Sequence, residues 1–411
     1  MSLQGPILIV ADEPTSGMAQ AFLDAGAFPV IEASWAGARI AATEVKPSAI
    51  VVADVADNET TRALTDYIAK ASPYTPMLLR VRDDMAPALA GALPVAADAP
   101  TEQLLARLSS ALRVRTLHST VLTRAQTLKE ERNIIAELPE GDPLDDATVL
   151  LIGRGRHHAT LSVAVGERMG VMGALSVDQG ARCLNAREVD GIIIGDGMAA
   201  ASVDAFLTVL SEDARFRDLP VAVLGMSQDT GKLPNFVRAR DPLVLLQRAI
   251  PFIRMRTFET ALKRLLHSIE CKGMVDVQTG LFHAKVFGDA LGLAISDAAE
   301  RGTRLSLARF SFDEPIDRRT SMDAARLVSR LVRNVDFACR LDDGSILFAF
   351  GDTDLRDAHV AARRLASVLK HTMLRNDRPA ASPAVTLATL KPSDTMHTLM
   401  ARVAPCPVAA A

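Results

Sequence analysis

Short apolar strands alternate with helical segments twice along this 411-residue sequence. The first series starts with PILIVADE at residues 6–13 and includes AIVVAD, which ends at Asp54. The second series starts with VLLIG (149–153) and continues through GIIIGD (191–196) and LPVAVLG (219–225). Strands that alternate with helices form a parallel sheet, and ligands bind at the carboxyl ends of its strands. The repeat therefore predicts two tandem flavodoxin-like α/β domains.

Three acidic residues of the first domain, Asp12, Glu13 and Asp54, follow predicted strands. Their placement resembles the receiver domain of response regulators. That resemblance implies that Asp54 accepts a phosphoryl group and that Asp12 and Glu13 form an acidic pocket for Mg²⁺. The fourth and fifth strands lack the Thr/Ser and the Lys of that family. In the second domain Arg154 and Arg156 stand where the carboxylates would be, so we expect this receiver copy to be degenerate and structural.

Two long segments, 101–136 and 244–269, carry apolar residues at helical spacing. The acidic segment between the first helix and the second domain, ELPEGDPLDD, contains proline and glycine and is predicted to be a linker. Two long connecting helices favour a homodimer. The predicted organisation is receiver domain 1 with its long C-terminal helix (5–136), the linker (137–146), degenerate receiver domain 2 (147–256), a connecting helix (257–272) and a third domain (273–411).

The third domain contains a predicted β-hairpin within residues 333–350, RNVDFACRLDDGSILFAF. Apolar residues alternate over 346–350, and residues 342–345, DDGS, favour a tight turn. The hairpin resembles the active-site hairpin of GGDEF domains, the diguanylate cyclase fold, and Asp276–Leu281 resembles the motif that begins those domains. The order of the three domains is similar to that of PleD-type response regulators. This resemblance implies a degenerate GGDEF domain with a nucleotidyl-cyclase-like α+β fold.

The residues that hold metal ions in GGDEF domains are replaced in this sequence. The resemblance aligns those positions with Ser311, in the strand RLSLARFSF (304–312), and with Gly344, in the turn. Mg²⁺ takes several oxygen ligands, and neither residue provides a carboxylate. We therefore expect that the chain is not an enzyme and that its third domain has no catalytic residue and no metal.

Arg333 and Asp336 lie three residues apart just before the hairpin. GGDEF domains carry their inhibitory site for cyclic di-GMP (c-di-GMP) at this position, and the resemblance adds Arg364 from the helix after the hairpin. A guanidinium group can bind phosphate or guanine through two hydrogen bonds and can stack on a purine. We therefore expect c-di-GMP as the ligand. The alternative is a surface ion pair between Arg333 and Asp336, with Arg364 on a solvated face.

Composition and charge restrict the other classes of function. The chain is 49% hydrophobic and 23% charged, with a net charge of −3, which gives no reason to expect a nucleic-acid partner. The four cysteines form no C-x-x-C pair, which is typical of a cytoplasmic protein with reduced thiols. No apolar run approaches the roughly 20 residues of a membrane span, so no membrane insertion is expected.

These patterns predict a non-catalytic c-di-GMP effector or adaptor that docks partner proteins. The resemblance implies regulated proteolysis of a cell-cycle regulator, with recruitment to the cell pole. It also implies an RcdA-like adaptor, a CtrA-like regulator and the ClpXP protease as partners. Two alternatives remain, a phosphorylation-dependent response regulator whose GGDEF domain is purely structural and a residual enzyme.

Overall fold

The structure is a computed structural model that describes residues 4–13, 15–53, 58–81, 89, 91–138, 140–225, 232–312, 317–372 and 383–404. The chain divides into two compact units. The first comprises Met1–Arg124 and Glu140–Lys263, and the second comprises Ala125–Pro139 and Arg264–Ala411. The five-part organisation expected from the sequence is finer than this division and stays a prediction.

The first half of the first unit is built on a parallel sheet. Its strands are β1 (Gln4–Val10), β2 (Phe28–Ala33), β3 (Ala49–Val52), β4 (Met77–Val81) and β5 (Leu93–Ala96). The strand order is β2-β1-β3-β4-β5, which is that of flavodoxin-like folds. The accompanying helices are α1 (Ser16–Asp24), α2 (Trp35–Val45), α3 (Asn58–Ala69) and α4 (Thr101–Arg132), of which α4 continues past Arg124 into the second unit. The central strand β3 is apolar and fully buried, as expected where helices cover both faces of a parallel sheet.

The second half of the first unit repeats this arrangement. Its strands are β6 (Thr148–Ile152), β7 (Gly170–Ala174), β8 (Gly191–Ile194), β9 (Val221–Leu224) and β10 (Phe236–Ala239). Its helices are α5 (His158–Gly166), α6 (Val177–Ala186), α7 (Ala200–Glu212) and α8 (Pro242–Glu270). The parallel order β7-β6-β8-β9-β10 is equivalent to that of the first sheet. The predicted repeat of a parallel α/β domain is therefore confirmed, whereas the identity of the two halves as receiver domains stays a prediction.

The first long helix ends before its apolar pattern does. The pattern extends to residue 136, but α4 ends at Arg132, and Asn133 has a left-handed φ of 53°. The Asn133 N–H donates to the Lys129 carbonyl at 2.9 Å. Asparagine tolerates left-handed backbone better than most residues and commonly follows the last turn of a helix. The backbone preference of one residue therefore outweighs the periodicity of the residues that follow it.

Buried Arg107 joins the two halves of the first unit. From α4 it donates to the carbonyl of Pro94 in β5, and to the carbonyls of Pro234 at 2.8 Å and Phe236 at 2.6 Å near β10. Its guanidinium carbon lies 4.9 Å from the ring centre of Phe252 in α8. Arg107 is only 2% exposed. Because a buried charge is costly unless it is hydrogen-bonded, these carbonyls stabilise the cation between the two halves.

The second unit is built on an antiparallel sheet. Its strands are β11 (Leu305–Phe312), β12 (Phe337–Arg340), β13 (Ile346–Gly351) and β14 (Pro383–Thr389), in the order β12-β13-β11-β14. Its helices are α9 (Ala284–Arg301), α10 (Arg318–Ser329), α11 (Leu355–Thr372) and α12 (Met396–Arg402). The predicted hairpin is present as β12 and β13.

Different helices cover the two faces of the antiparallel sheet. One face packs against α10 and α11, with Phe310 and Leu365 in the same apolar cluster. The other face packs against α9 and α12, with Leu307 and Leu399 in a second cluster. Alternate residues of β11 supply the two clusters, because successive side chains of a strand point to opposite faces.

In the described part of the chain, no helix is both long and apolar enough to cross a membrane.

Replacement of Arg107 by alanine should destabilise the first unit strongly. The change leaves the buried Pro94, Pro234 and Phe236 carbonyls without their charged donor. Hydrogen bonds to charged groups contribute ~1.5–3 kcal/mol each, so the free energy of unfolding should fall by about 3 kcal/mol or more. Urea unfolding followed by the fluorescence of Trp35, the single tryptophan and a buried residue of this unit, measures the loss.

Arg113→Ala is a matched control on the same helix. Arg113 forms an ion pair with Asp218 of the second half, but its side chain is 47% exposed. Exposed pairs of this kind contribute ~0–1 kcal/mol, so the control should unfold close to the unmodified protein. Equal losses in the two variants would contradict the role assigned to Arg107.

Candidate functional site

The loop of residues 330–336, between α10 and β12, carries Arg333 and Asp336. The Asp336 N–H donates to the Arg333 carbonyl at 3.0 Å, which closes a turn. Asp336 Oδ1 accepts the N–H of Gly351, the last residue of β13, at 3.0 Å. The two predicted ligand residues therefore lie together on a turn that is fastened to the open end of the β12–β13 hairpin.

The charges of this loop are only partly compensated. Arg333 is exposed and Asp336 is half-buried. The surface ion pair considered as the alternative is not formed, because Arg333 has no ion pair among the described residues. Burial raises the pKa of the Asp336 carboxyl above its ordinary value, while the Gly351 N–H and the positive charge of Arg333 act in the opposite direction. An exposed cation that forms no ion pair with a described residue and a half-buried carboxylate therefore lie on the same turn.

Arg364 lies on the exposed side of α11. The helix packs against the sheet through Ala358, Ala362, Leu365 and Leu369, which recur at helical spacing. Arg364 forms no hydrogen bond or ion pair in the described residues, and none joins it to Arg333 or Asp336. The structure therefore brings Arg333 and Asp336 together, whereas Arg364 lies on the following helix and pairs with no described residue.

An ionic network closes the hairpin turn. Gly344 has a left-handed φ of 82°, and the Leu341 N–H donates to the Ser345 carbonyl at 2.8 Å. Ser345 Oγ donates to Asp343 Oδ1 at 2.6 Å, and Arg309 Nε of β11 donates to Ser345 Oγ at 3.1 Å. Arg309 also forms an ion pair with Asp343. Burial pushes the pKa of Asp343 upward, but hydrogen bonds from Ser345 and the charge of Arg309 hold it below its ordinary value.

Sequence reasoning missed Arg309. The signal that could have found it is a charged residue inside the otherwise apolar strand RLSLARFSF. A charge at such a position needs a partner on a neighbouring element. Its partner, Asp343, is 34 residues further along the chain.

The residues around the turn do not fit a divalent metal ion. Ser311 Oγ donates to the Ala384 carbonyl at 3.5 Å, and Gly344 has no side chain to offer. The nearby carboxylate of Asp343 is paired with Arg309, a cation. Across the described ranges, no three His, Cys, Asp or Glu residues are grouped so that they could hold a metal ion.

The predicted acidic pocket of the first sheet is only partly described. Asp12 and Glu13 follow β1 and are exposed. Asp12 Oδ1 accepts the N–H of Trp35 at 3.2 Å, so one of its oxygens serves the start of α2. The predicted phosphoryl acceptor, Asp54, lies outside the described residues. Phosphorylation at Asp54 and Mg²⁺ binding at this edge stay predictions.

The equivalent acid of the second sheet is covered by a loop of its own domain. Asp196 follows β8, and His157 Nδ1 lies 3.0 Å from its Oδ2. The His157 N–H donates to Asp196 Oδ1 at 3.3 Å. A β-carbon at Gly155 would lie 2.2 Å from Asp196 Cγ, so the loop presses directly on the carboxylate. That the second copy is structural stays a prediction.

Comparison with known proteins finds similarity to part of the chain only. The sequence matches no family model and no curated protein. Solved structures of GGDEF domains are similar to about a third of it. The GGDEF domain of DgcB from Caulobacter crescentus, in complex with c-di-GMP, is 21% identical and covers 32% of this chain and 82% of its own, with a TM-score of 0.29.

Two further structures of this kind come from Pseudomonas aeruginosa. The FimX GGDEF domain is 19% identical and covers 32% of this chain and 88% of its own, with a TM-score of 0.28. The diguanylate cyclase SiaD, in complex with its activator SiaC, is 17% identical. It covers 34% of this chain and 60% of its own, with a TM-score of 0.29.

GGDEF domains are therefore among the solved structures similar to part of this chain, and one prediction needs correction. The sequence-based prediction that the chain is not an enzyme is contradicted, because the similar structures include a diguanylate cyclase. That prediction relied on two replaced positions, Ser311 and Gly344. The receiver identity of the two α/β halves, the PleD-type layout and the degeneracy of the motif stay predictions.

Replacement of Arg309 by alanine should raise the pKa of Asp343 toward its ordinary value, about 3.9, because the variant loses the neighbouring cation. A carboxyl group whose pKa is lowered by folding stabilises the protein above its unfolded pKa, and this contribution is lost as the pH falls through the folded pKa. Arg309→Ala should therefore lose the stabilisation that the lowered pKa of Asp343 provides at pH values above the unfolded pKa. NMR titration of the Asp343 carboxyl carbon measures the change.

Arg304→Ala is the control for this titration. Arg304 pairs with Asp354 at 2.7 Å in the same unit, so its removal should leave Asp343 unaffected. An unchanged pKa of Asp343 in Arg309→Ala would mean that Ser345 alone lowers it.

Proposed function

We propose that this chain is a c-di-GMP effector that binds the dinucleotide through Arg333, Asp336 and Arg364. The observation that carries the proposal is the fastened loop before β12, which presents exposed Arg333 without an ion-pair partner among the described residues. A buried or paired arginine would have to give up existing contacts to bind a ligand. Arg333 and Arg364 have no ion pair with a described residue to give up.

The chemistry of the ligand matches the groups of this loop. Each c-di-GMP molecule has two phosphates and two guanines. Arg333 and Arg364 can donate pairs of hydrogen bonds to phosphate oxygens or to guanine acceptors. Asp336 Oδ1 is used by the Gly351 N–H, which leaves Oδ2 to accept from the N1–H and amino group of a guanine. The ionised form of Asp336 is the one that accepts, so affinity should fall as the pH drops through its raised pKa.

The layout of the chain supports the proposed effector role. Its motifs occur in the order found in PleD-type response regulators, and it most resembles the c-di-GMP effector PopA. On that resemblance, bound ligand creates a docking surface for an RcdA-like adaptor, a CtrA-like regulator and the ClpXP protease at the cell pole. A homodimer is part of the same proposal.

A phosphorylation-driven response regulator is the second candidate. The observation in its favour is the strand order β2-β1-β3-β4-β5, with Asp12 and Glu13 at the carboxyl edge of the parallel sheet. In such a sheet the acceptor would be Asp54, which follows β3 in the sequence. In this reading the antiparallel-sheet domain has only a structural role.

Arg333→Ala should weaken c-di-GMP binding more than a hundredfold. Two hydrogen bonds from one guanidinium group to a phosphate or guanine contribute about 3 kcal/mol or more. Asp336→Ala and Arg364→Ala should cause smaller losses of the same kind. Calorimetry with c-di-GMP on the full chain measures the affinities, which should also decline as salt is added, because the ligand carries two phosphates.

Arg215→Ala is the matched control for binding. Arg215 also begins an Arg-x-x-Asp sequence, but it lies in the first unit and pairs with Asp213 at 2.7 Å. Its loss should leave the affinity unchanged. Equal losses of affinity in Arg333→Ala and Arg215→Ala would contradict the proposed site. Absence of c-di-GMP binding by the unmodified chain would contradict the proposed function.

Labelling with acetyl phosphate tests the second candidate. We expect weak or no incorporation, because the fourth and fifth strands lack the Thr/Ser and Lys that normally contact the phosphoryl oxygens. Strong labelling that Asp54→Asn abolishes would favour the response-regulator function. Labelling that survives this substitution would show that Asp54 is not the acceptor.

A further inference from the structure

Gly351 and Val335 lie opposite each other where the β12–β13 pairing ends. Phe337 pairs with Ala349, so two residues further out Val335 is opposite Gly351. A β-carbon on Gly351 would lie 2.4 Å from the Val335 carbonyl oxygen and 3.3 Å from its carbonyl carbon. Gly351 does not have a positive φ. A glycine is therefore needed here for close approach and not for an unusual backbone angle.

The same glycine is bonded to the carboxylate of the loop. Its N–H donates to Asp336 Oδ1 at 3.0 Å. Val335, whose carbonyl touches the glycine, lies between Arg333 and Asp336 in the sequence. Besides the pairing of β12 with β13, the turn is thus held to the sheet by one close contact and one hydrogen bond, both made by Gly351.

We propose that Gly351 is a positioning residue of the c-di-GMP site, an inference that rests on the function proposed above. By admitting the Val335 carbonyl, it sets where Arg333 points, and by donating its N–H it orients Asp336 so that Oδ2 faces the ligand. Heavy-atom contacts to a β-carbon do not fall below 3.0 Å, so any larger residue forces the loop outward by at least about 0.6 Å. Binding groups must be held to within about 0.5 Å of their productive geometry.

The hydrogen bond from Gly351 also affects the charge of Asp336. Burial raises the pKa of this carboxyl, and the Gly351 N–H opposes that rise. Arg333 is the charged group that acts on Asp336, and Val335 and Gly351 carry no charge. Displacement of Gly351 should therefore raise the pKa of Asp336 further. A residue that supported only the fold would leave this pKa unchanged.

The test is Gly351→Ala in the full chain, with calorimetry of c-di-GMP binding. A shift of the loop by this distance should weaken binding about tenfold or more. The pH below which affinity is lost should also move upward, since the pKa of Asp336 rises. NMR titration of the Asp336 carboxyl carbon reports the same pKa without any ligand.

Two glycine-to-alanine controls separate positioning from general damage. A β-carbon at Gly292 in α9 has open space around it, so Gly292→Ala should be harmless. Gly344→Ala strains the turn at the other end of the same hairpin, because Gly344 has a φ of 82°. It should lower stability, yet leave the affinity within about twofold of the unmodified chain.

The outcomes distinguish the inference from the proposed function. Binding by the unmodified chain and by Gly351→Ala with equal affinity would overturn the inference and leave the function standing. Absence of binding by the unmodified chain would contradict the proposed function. The titration of Asp336 would then test whether Gly351 positions this carboxyl group. An Asp336 pKa that is the same in the unmodified chain and in Gly351→Ala would overturn the positioning role of Gly351.

A measurement on the unmodified protein covers the case in which Gly351→Ala does not fold. The amide proton of Gly351 should shift with pH at the same midpoint as the Asp336 carboxyl carbon, because the two groups share a hydrogen bond. An amide proton that does not respond to this titration would overturn the inference.

Discussion

The antiparallel pairing of β12 with β13 is the constraint on which the candidate site depends. Its register sets Phe337 opposite Ala349 and Arg340 opposite Ile346. Burial maintains that register, because a slip by one residue would turn the apolar side chains of β12 to the wrong face. The register then determines both ends of the hairpin. One end is the turn closed by Arg309, and the other is the loop of residues 330–336, fastened to the last residue of β13.

Arginine residues have two different physical roles in this chain. Arg107 is buried and Arg309 is partly buried, and carbonyl oxygens or a carboxylate accept their hydrogen bonds. Arg333 and Arg364 are exposed and form no ion pair in the described residues. The first pair stabilises the fold, since removal of either cation takes a charged donor from its acceptors. The second pair is available to an anionic ligand because binding would break no ion pair with a described residue.

The carboxylates at the edges of the two parallel sheets are also partly used by the protein itself. Asp12 accepts the first N–H of a helix, and Asp196 accepts the N–H and ring nitrogen of His157. Hydrogen bonds of this kind occupy the oxygens that a metal ion would need. A repeated fold can therefore keep an acid at the same strand end while the surrounding loop changes what that acid does.

Local patterns in the sequence were sufficient for much of the fold. Apolar runs of strand length, which occur in two series, predicted two parallel α/β halves, and the turn residues DDGS with the alternating apolar residues after them predicted the hairpin. The placement of Arg333 and Asp336 just before β12 also followed from the sequence. These features depend on residues that are near neighbours in the chain, whose period of burial is visible in the sequence. The helix end at Asn133 did not follow, because one left-handed residue stopped a periodic pattern.

Contacts between distant residues were decided only by the tertiary structure. Arg309 meets Asp343 across 34 residues, and Arg107 reaches Phe236 across 129. The role of Gly351 depends on Val335, which approaches it only because β12 and β13 pair in one register. Periodicity shows which face of an element is buried, but not which element covers that face or in what register. Strand order and register bring such residues together, and both are set by the packing of the whole sheet.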